Sequence, residues 1–399
     1  MDKIWLNIAI NMKNKKDSKK SKSRKVNKKI IIPSVIIVVL AVVGIISRVA
    51  YDNYFMRTGG LPLSEKMNYE PGNAVFEGLE RTRYEFFSNN NQKLVGYNYR
   101  KTDNPKALII FVHGFGGDHN FYKPLINSLT SRGYWVFAFD ATGTGESEGD
   151  SMIGLEQHTI DLEYALKFVQ NEETFNNLEI SLIGHSWGGY AVSAILNLKP
   201  KVSSVISISG FSSAYDLELN ELQEMIGGIG NLALPYLKLT EFTKFGKYES
   251  FTGLSGFQKS ITPGLIIASE DDNVVAPDFG YKLYKKNLPE SRLEYVVLNK
   301  RGHAPYWTDE AVEKFSEFMA CMNDSCKDET EQKIWDEKIS DIYRKHSLDD
   351  EYDVSKHPEA WAEIVDFLNS RFSPEIWQNS VDEGIIDKID DFITRNSNA

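Results

Sequence analysis

The stretch LEISLIGHSWGGYAVSAILNL, residues 178–198, decides the fold. Its first eight residues form an apolar run typical of a buried strand, and residues 187–198 have the spacing of a helix. Between them, Gly184 to Gly188 make the pattern G-x-S-x-G, in which a sharp turn lifts a serine above the end of a strand. A helix that begins there directs partial positive charge at a developing anion. This context makes Ser186 a candidate nucleophile.

Runs of similar composition recur along the chain, and helical patterns separate them. Most runs are continuously apolar, as in strands that are covered on both faces of a parallel sheet. The strand runs lie at 84–88, 94–100, 107–113, 134–140, 178–185, 202–210, 264–269 and 293–299, and the helical patterns at 121–132, 155–170, 187–198 and 279–287. The alternation predicts an α/β protein with a doubly wound, mostly parallel sheet.

Two long segments interrupt this alternation. Residues 211–262 have helical composition and are too long for a simple connection, so they predict a small cap over the carboxyl edge of the sheet. Residues 305–357 form a late helical insert, and the amphipathic stretch 357–372 is expected to pack back on the sheet. The last ~25 residues are expected to form a surface helix and a frayed end. The sequence thus predicts one catalytic domain over residues 81–399.

A glycine-rich loop, His113-Gly114-Phe115-Gly116-Gly117, follows the strand run at 107–113. An acyl-transfer site needs preorganised N–H donors for the oxyanion. The backbone N–H groups of Phe115 and Trp187 are the candidates, since the second follows the nucleophile directly. The loop lacks the Lys and Ser/Thr of a phosphate-binding loop. His113 and His185 are expected to hold loop geometry by hydrogen bonds rather than to transfer protons.

A serine nucleophile needs a base, and the base needs an acid that orients it, in the chain order Ser, Asp, His. The sequence GLIIASEDDNVVAP places Asp271 and Asp272 after a late strand, and Asp272 is favoured because of the turn sequence NVVAP that follows. His303 lies in the loop after the next strand. His346 and His357 also follow the acid, but they lie on or beside helices of the late insert. The predicted triad is therefore Ser186, Asp272 and His303.

From about residue 84 to 372 the chain resembles α/β-hydrolases of the esterase, lipase and serine-aminopeptidase group. The matching motifs are HGFGG, DATGTGESEGD (140–150), GHSWGG, EDDNVVAP and GHAP. The resemblance implies an eight-stranded, mostly parallel sheet and carbonyl hydrolysis through an acyl-enzyme, with no metal or organic cofactor. Thr142 departs from the Arg that the family often has, and Ser186 argues against the family members with an Asp nucleophile.

The amino-terminal region predicts a membrane anchor. Residues 1–29 carry eleven Lys and Arg against two acids, a net charge of +9. Because the whole chain has a net charge of −11, residues 30–399 sum to −20. Residues 30–47 are uncharged and apolar, and ~18 helical residues span roughly 27 Å, close to the core of a bilayer. The lysines predict a cytoplasmic amino terminus and a catalytic domain outside the cytoplasm, joined by a linker at 48–80. A cleaved signal peptide and a buried core helix are alternatives. The acidic body argues against nucleic-acid binding.

The sequence leaves the substrate open. Apolar residues of the cap segment suit an acyl or aromatic group, which favours a carboxylesterase or lipase acting on a small-molecule or lipid ester. Acidic cap residues suit a peptide amino terminus, as in the related aminopeptidases. A non-catalytic binding module and an acyltransferase are further alternatives, and the oligomeric state and any disulfide between the two cysteines are open. The apolar cap residues are Leu232, Leu234, Tyr236 and Leu237, and the acidic cap residues are Glu218, Glu221 and Glu224. The two cysteines are Cys321 and Cys326.

Overall fold

The computed structural model describes residues 28–57, 76–227, 233–322, 328–348, 360, 363 and 378–397. The described residues fall into two compact units, one up to residue 47 and one from residue 48 onward. The predicted basic tail up to residue 27, the predicted helix at 357–372 apart from residues 360 and 363, and the side chains of both cysteines lie outside the described residues.

The predicted anchor at 30–47 falls within a helix, α1, that runs from Lys28 to Tyr54. Side chains of this helix are described from Leu40 onward. In the part of the chain that the structure describes, no helix combines the length and the apolarity that a membrane crossing requires. The predicted transmembrane anchor therefore finds no support in the structure.

Eight strands form one sheet, and all eight coincide with strand runs predicted from the sequence. Their order across the sheet is β1-β2-β4-β3-β5-β6-β7-β8. The first two strands form an antiparallel hairpin, β2 pairs antiparallel with β4, and all the other pairs are parallel. The strands are β1 (Glu80–Phe87), β2 (Lys93–Arg100), β3 (Leu108–Val112), β4 (Trp135–Phe139), β5 (Ile180–His185), β6 (Ser204–Ile208), β7 (Gly264–Ser269) and β8 (Glu294–Leu298).

The central strands are apolar throughout because both faces of the sheet are covered. In β3, Leu108, Ile110 and Val112 pack into the core on one face, whereas Ile109 and Phe111 pack into the core on the other face. All five are fully buried. Burial on both faces removes the alternation of polar and apolar residues that a half-exposed strand shows.

Helices connect the strands, and each of the four helical patterns predicted between strands contains one. The two helices of the late insert also occur where the sequence predicts them. The helices after α1 are α2 (Lys123–Ser131), α3 (Glu156–Asn171), α4 (Trp187–Ala194), α5 (Ala214–Ile226), α6 (Leu234–Phe245), α7 (Gly253–Lys259), α8 (Tyr281–Asn287), α9 (Asp309–Met322), α10 (Glu329–Lys345) and α11 (Glu383–Asn396).

The helix that the sequence predicts near the carboxyl end is present, and one of its faces is buried. Helix α11 buries one apolar face in the core beside α2, and its polar face carries ion pairs such as Arg132 with Asp387 at 2.6 Å. Apolar residues spaced three and four apart produce that face. The buried side chains are Ile385, Ile386, Ile389, Phe392 and Ile393.

Residues 48–57, which the sequence assigns to a linker, are packed against the catalytic domain. Tyr51 and Phe55 are buried, and the guanidinium of Arg57 donates to the carbonyl oxygens of Gly145, Ser147 and Gly149 at 2.5, 2.8 and 2.9 Å. Three charge-assisted hydrogen bonds to one loop restrict its movement. This segment therefore holds the loop at 140–150 in place.

Candidate active site

Ser186 lies in the turn between β5 and α4, as the sequence predicts. Its backbone has φ 56° and ψ −116°, a conformation that is strained for a residue with a Cβ atom. The turn is tight: a Cβ on Gly184 would clash with the backbone of Gly188, and one on Gly188 with the carbonyl of Val112. The backbone N–H of Ser186 donates to the carbonyl of Ile208 at 2.8 Å. The strained turn is thus fixed by packing on both neighbouring strands.

Asp272 and His303 are brought together although 31 residues separate them. The Nδ1 atom of His303 lies 3.0 and 2.9 Å from the two carboxylate oxygens of Asp272. Because a carboxylate accepts hydrogen bonds, Nδ1 carries the proton and Nε2 is left as the basic nitrogen. The N–H groups of Val274 and Val275 donate to Asp272 at 3.0 and 2.9 Å and hold its carboxylate. The turn sequence that favours this acid thus supplies its hydrogen-bond donors.

Asp271 has different partners. Its carboxylate accepts hydrogen bonds from the hydroxyl of Ser269 at 2.5 Å and from the backbone N–H groups of Arg301 and Gly302 at 3.2 and 3.3 Å. The Ser269 hydrogen bond, followed by these backbone donors, lowers the pKa of Asp271 despite some burial. The side chain therefore shapes the loop that precedes His303, and Asp272 is the acid that contacts the imidazole.

A chain of hydrogen bonds connects the three loops of the site. The backbone N–H of Gly114 donates to the hydroxyl oxygen of Tyr122 at 2.9 Å, and that hydroxyl donates to Nδ1 of His185 at 2.8 Å. The Nε2–H of His185 donates to the carbonyl oxygen of His303 at 2.8 Å. Burial, and then the electrostatic effect of the neighbouring His303, lower the pKa of His185 to about 3, so the ring of His185 is neutral. His185 thus holds loop geometry, as the sequence predicts.

His113, in the loop at 113–117, also holds loop geometry by hydrogen bonds. Its Nδ1–H donates to the carbonyl of Gly114 at 2.7 Å, and its Nε2 accepts the N–H of Ala141 at 3.0 Å. Burial lowers the pKa of this histidine. The neutral ring therefore ties the loop at 113–117 to the loop at 140–150, in agreement with the sequence prediction.

The two predicted oxyanion donors are backbone N–H groups without acceptors. Across the described ranges, the N–H groups of Phe115 and Trp187 donate to no protein oxygen. The turn is closed by a hydrogen bond from the N–H of Gly117 to the carbonyl of Gly114 at 3.1 Å. The N–H of Trp187 has no intrahelical acceptor because Trp187 is the first residue of α4. Both N–H groups are therefore available to donate to an oxygen atom.

The ring of Phe115 is part of an aromatic surface beside the elbow. It is 39% exposed, and its centroid lies 5.6 Å from Trp187, 5.9 Å from Tyr54 and 6.0 Å from Phe55. The indole N–H of Trp187 donates to the carbonyl of Leu155 at 2.7 Å, which fixes its ring. The site thus has an apolar, partly exposed wall.

The loop that begins at Asp140 is built around a buried ion pair. Asp140 contacts Nδ1 of His119 at 2.7 Å and accepts the N–H of Glu146 at 2.9 Å. Burial alone would lower the pKa of His119, but the charge and hydrogen bond of Asp140 raise it above its usual value. Thr142, the departure from the family pattern, donates through its N–H and its hydroxyl to Asp161 at 2.7 and 3.0 Å.

The acidic cap residues predicted from the sequence lie in different environments. Glu218 is buried, whereas Glu224 accepts a hydrogen bond from Asn220 at 2.9 Å and Glu221 one from the hydroxyl of Tyr54 at 2.7 Å. Of the apolar cap residues, Leu234, Tyr236 and Leu237 are half-buried, and Leu232 lies outside the described residues. Glu218 is therefore the acid of this group with an unusual environment.

Comparison with known proteins adds family information. Residues 103–255 match the family model described as serine aminopeptidase, S33. Over 222 residues the chain is 28% identical to the uncharacterized protein YfhR of Escherichia coli O157:H7, with 54% of this chain and 70% of that protein covered. It is also 28% identical over 142 residues to the monoglyceride lipase of Homo sapiens, covering 35% of this chain and 47% of the lipase. The chain thus spans about half the length of that lipase.

Among solved structures, the esterase Pf2001 of Pyrococcus furiosus is similar over 66% of this chain and 97% of its own length, at 19% identity and a TM-score of 0.47.

The sheet order, the strand-serine-helix turn and the family match identify the class. The chain belongs to the α/β-hydrolase superfamily. The family match and the lipase relative point to a hydrolase enzyme.

Proposed function

We propose that this chain is a serine hydrolase that cleaves an ester or amide carbonyl through an acyl-enzyme. The observation that carries the proposal is the contact of His303 Nδ1 with both carboxylate oxygens of Asp272, at 3.0 and 2.9 Å. This contact holds Nδ1 against the carboxylate and leaves Nε2 as the nitrogen that can accept a proton, as a general base requires. The strained backbone of Ser186 supplies the matching nucleophile position.

In the proposed first half-reaction, the Oγ of Ser186 attacks the carbonyl carbon while Nε2 of His303 accepts the hydroxyl proton. The N–H groups of Phe115 and Trp187 stabilise the oxyanion of the tetrahedral intermediate. His303 then returns the proton to the leaving alcohol or amine as the carbon–oxygen or carbon–nitrogen bond breaks. Asp272 stabilises the imidazolium and keeps its Nδ1 protonated throughout.

In the second half-reaction, a water molecule attacks the acyl-enzyme and His303 accepts its proton. Collapse of the second tetrahedral intermediate releases the acid, and the same proton returns to Ser186. The chemistry needs only protein side chains and water. An acyltransferase would use the same acyl-enzyme with an alcohol or amine acceptor in place of water.

For the substrate we propose a carboxylic ester with an apolar acyl group. The exposed ring of Phe115 and its aromatic neighbours offer apolar contact area next to the elbow. The similarity to a monoglyceride lipase supports the same class. The half-buried side chains of Leu234 and Leu237 would extend this surface if the cap segment covers the site.

A serine aminopeptidase is the second candidate, because the matching family model has that description. An aminopeptidase needs an acidic group for the amino terminus of the peptide, and Glu218 and Glu241 are buried acids of the cap segment. A panel of substrates separates the two candidates. An esterase or lipase should cleave fatty-acid esters, including monoacylglycerols. An aminopeptidase should cleave aminoacyl amides that have a free amino group.

The test is covalent labelling of the full-length chain with a fluorophosphonate probe, read by intact mass. We expect one adduct on the parent chain and none on Ser186→Ala. Ser193→Ala is the matched control, since Ser193 is a buried serine of α4 whose hydroxyl bonds the carbonyl of Gly189. This variant should label like the parent. A folded parent chain that takes no adduct would overturn the proposal and favour a non-catalytic binding module.

We further propose, from the sequence, a cell-membrane location with the amino terminus in the cytoplasm. The support is the uncharged stretch at 30–47 after eleven basic residues. Carbonate extraction of cell membranes tests it: the full chain should stay in the pellet, and a chain without residues 1–47 should be released. Release of both chains would contradict the location.

A further inference from the structure

Three buried glutamates come together where two helices of the cap segment, α5 and α6, meet the start of α3. Glu156 is the first residue of α3, Glu218 lies in α5 and Glu241 lies in α6. Their exposed fractions are 0%, 8% and 0%, and one carboxylate oxygen from each lies within 4.8 Å of those of the other two. Acidic side chains are almost never fully buried unless they are paired or bind a metal ion.

Among the described residues, no hydrogen-bond donor reaches either oxygen of Glu156, of Glu218 or of Glu241. The carboxyl groups of Glu218 and Glu241 are close enough to share a hydrogen bond when one of them is protonated. The two lysines nearest by charge are engaged elsewhere: Lys238 pairs with Glu249 at 2.6 Å, and Lys244 pairs with Asp52 at 2.6 Å. In the described part of the chain, the three carboxylates therefore have no compensating cation in hydrogen-bond contact.

A second polar group points to the same missing ligand. Tyr51 is 8% exposed, and its hydroxyl has no hydrogen-bond partner among the described residues. Its ring packs in one buried cluster with Leu155, Leu217 and Phe245, which lie within about one helical turn of the three glutamates along the chain. The hydroxyl lies against Gly154, two residues before Glu156. An unpaired hydroxyl beside unpaired carboxylates is a set of oxygen donors without an occupant.

We propose that Glu156, Glu218 and Glu241 bind a divalent cation of the calcium type, with the hydroxyl of Tyr51 as a further oxygen donor. The donor set contains only oxygen atoms, which suits a hard cation rather than zinc or copper. One carboxylate oxygen from each glutamate lies within 4.8 Å of the other two, so a single ion can contact all three. Calcium takes about six to eight oxygen ligands in flexible geometry, whereas magnesium keeps several of its waters and is seldom held by an all-protein cage. A buried set of protein oxygen donors therefore favours calcium.

Such an ion would fasten two helices of the cap segment to the catalytic domain. Glu218 and Glu241 lie on α5 and α6, and Glu156 follows Leu155, whose carbonyl accepts the indole N–H of Trp187 at 2.7 Å. The ion would therefore stabilise the helices and, through Leu155, the ring of a proposed oxyanion residue. The ion would occupy Glu218, so this inference accompanies the esterase candidate and not the aminopeptidase candidate. The ion takes no part in the proposed bond-breaking steps.

The test uses the full-length chain freed of metal with a chelator. Isothermal titration should show one calcium ion bound per chain, with magnesium at least about tenfold weaker, and calcium should raise the thermal midpoint. Glu241→Gln should weaken calcium binding by at least the ~10-fold that loss of even an outer-shell partner costs a metal site. Glu224→Gln is the control, because Glu224 is an exposed acid of α5. It should bind calcium like the parent.

Terbium luminescence of the parent chain is a second readout that needs no variant to fold. Tyrosine excitation should sensitise bound terbium, calcium should displace it, and Tyr51→Phe should lower the signal. The proposal is overturned if the parent binds neither ion, or if Glu224→Gln and Glu241→Gln weaken binding equally. Labelling of Ser186 by fluorophosphonate should not depend on calcium being bound, so failure here is distinguishable from failure of the proposed hydrolase activity.

Discussion

The Nε2–H of His185 donates to the backbone carbonyl of His303 at 2.8 Å, so the residue before the proposed nucleophile holds the loop of the proposed base. The imidazole rings of the two histidines lie 4.9 Å apart. This hydrogen bond fixes the backbone of His303, and Asp272 fixes its ring. Two independent restraints therefore determine where the basic nitrogen lies.

The hydroxyl of Tyr122 supports this arrangement from the other side. Tyr122→Phe would leave the N–H of Gly114 and the Nδ1 of His185 without partners. Because each buried orphan costs about 1–3 kcal/mol, we expect the free energy of unfolding to fall by about 2 kcal/mol or more in urea titrations. Tyr306→Phe is the control, since the hydroxyl of Tyr306 is buried and has no partner among the described residues. Equal losses in both variants would contradict the proposed hydrogen-bond chain.

The two neighbouring aspartates should differ sharply in their effect on catalysis. Asp272→Asn removes the acceptor that keeps Nδ1 of His303 protonated, so kcat on an ester substrate should fall by about 10⁴-fold. Asp271→Asn should lower kcat by about tenfold at most, roughly 1.4 kcal/mol, because Asp271 contacts only the loop backbone and Ser269. Steady-state kinetics on both variants measures the two losses in kcat. A larger loss in Asp271→Asn than in Asp272→Asn would assign the role of the orienting acid to Asp271.

The strain at Ser186 should be measurable as stability. The backbone of Ser186 has φ 56° and ψ −116°. A glycine at this position should relieve about 1–3 kcal/mol of backbone strain, against a cost of about 0.5–1 kcal/mol in chain entropy. Ser186→Gly should therefore be more stable than Ser186→Ala by about 1 kcal/mol in chemical denaturation, although both should be inactive. A glycine variant that is less stable than the alanine variant would show that the turn is relaxed.

The pair of His119 and Asp140 should make stability depend on pH. Asp140 raises the pKa of His119 in the folded chain, and His119 lowers that of Asp140 despite the opposing effect of burial. The histidine contribution is complete below its unfolded pKa of about 6.5 and is lost as pH rises through the raised value. The carboxylate contribution is present above about pH 4 and is lost as pH falls through the lowered value.

His119→Gln should therefore destabilise the chain most between about pH 4 and pH 6.5, and less at about pH 9. Urea titrations of parent and variant across this range measure the difference. Asp140→Asn should remove the same pH dependence. A stability difference that does not change with pH would mean that the pair is uncharged.

The surface that α11 covers could not be predicted from its own sequence. Its apolar spacing was visible there, but the elements that it packs against, α2 and β6, lie far away along the chain. Likewise, no local pattern marked Arg57 as the residue that fixes the loop at 140–150, since the contact spans about 90 residues.

The sequence by itself determined the eight strands, the turn around Ser186 and the order of Ser186, Asp272 and His303, because apolar runs and turn glycines act over a few residues. Tertiary structure alone decided which polar groups meet. The contact of His185 with His303 and the assembly of Glu156, Glu218 and Glu241 join segments from different helices and loops. Such contacts depend on how the chain packs across the sheet, and the free energy of burying a charged or polar group depends on the partner found there.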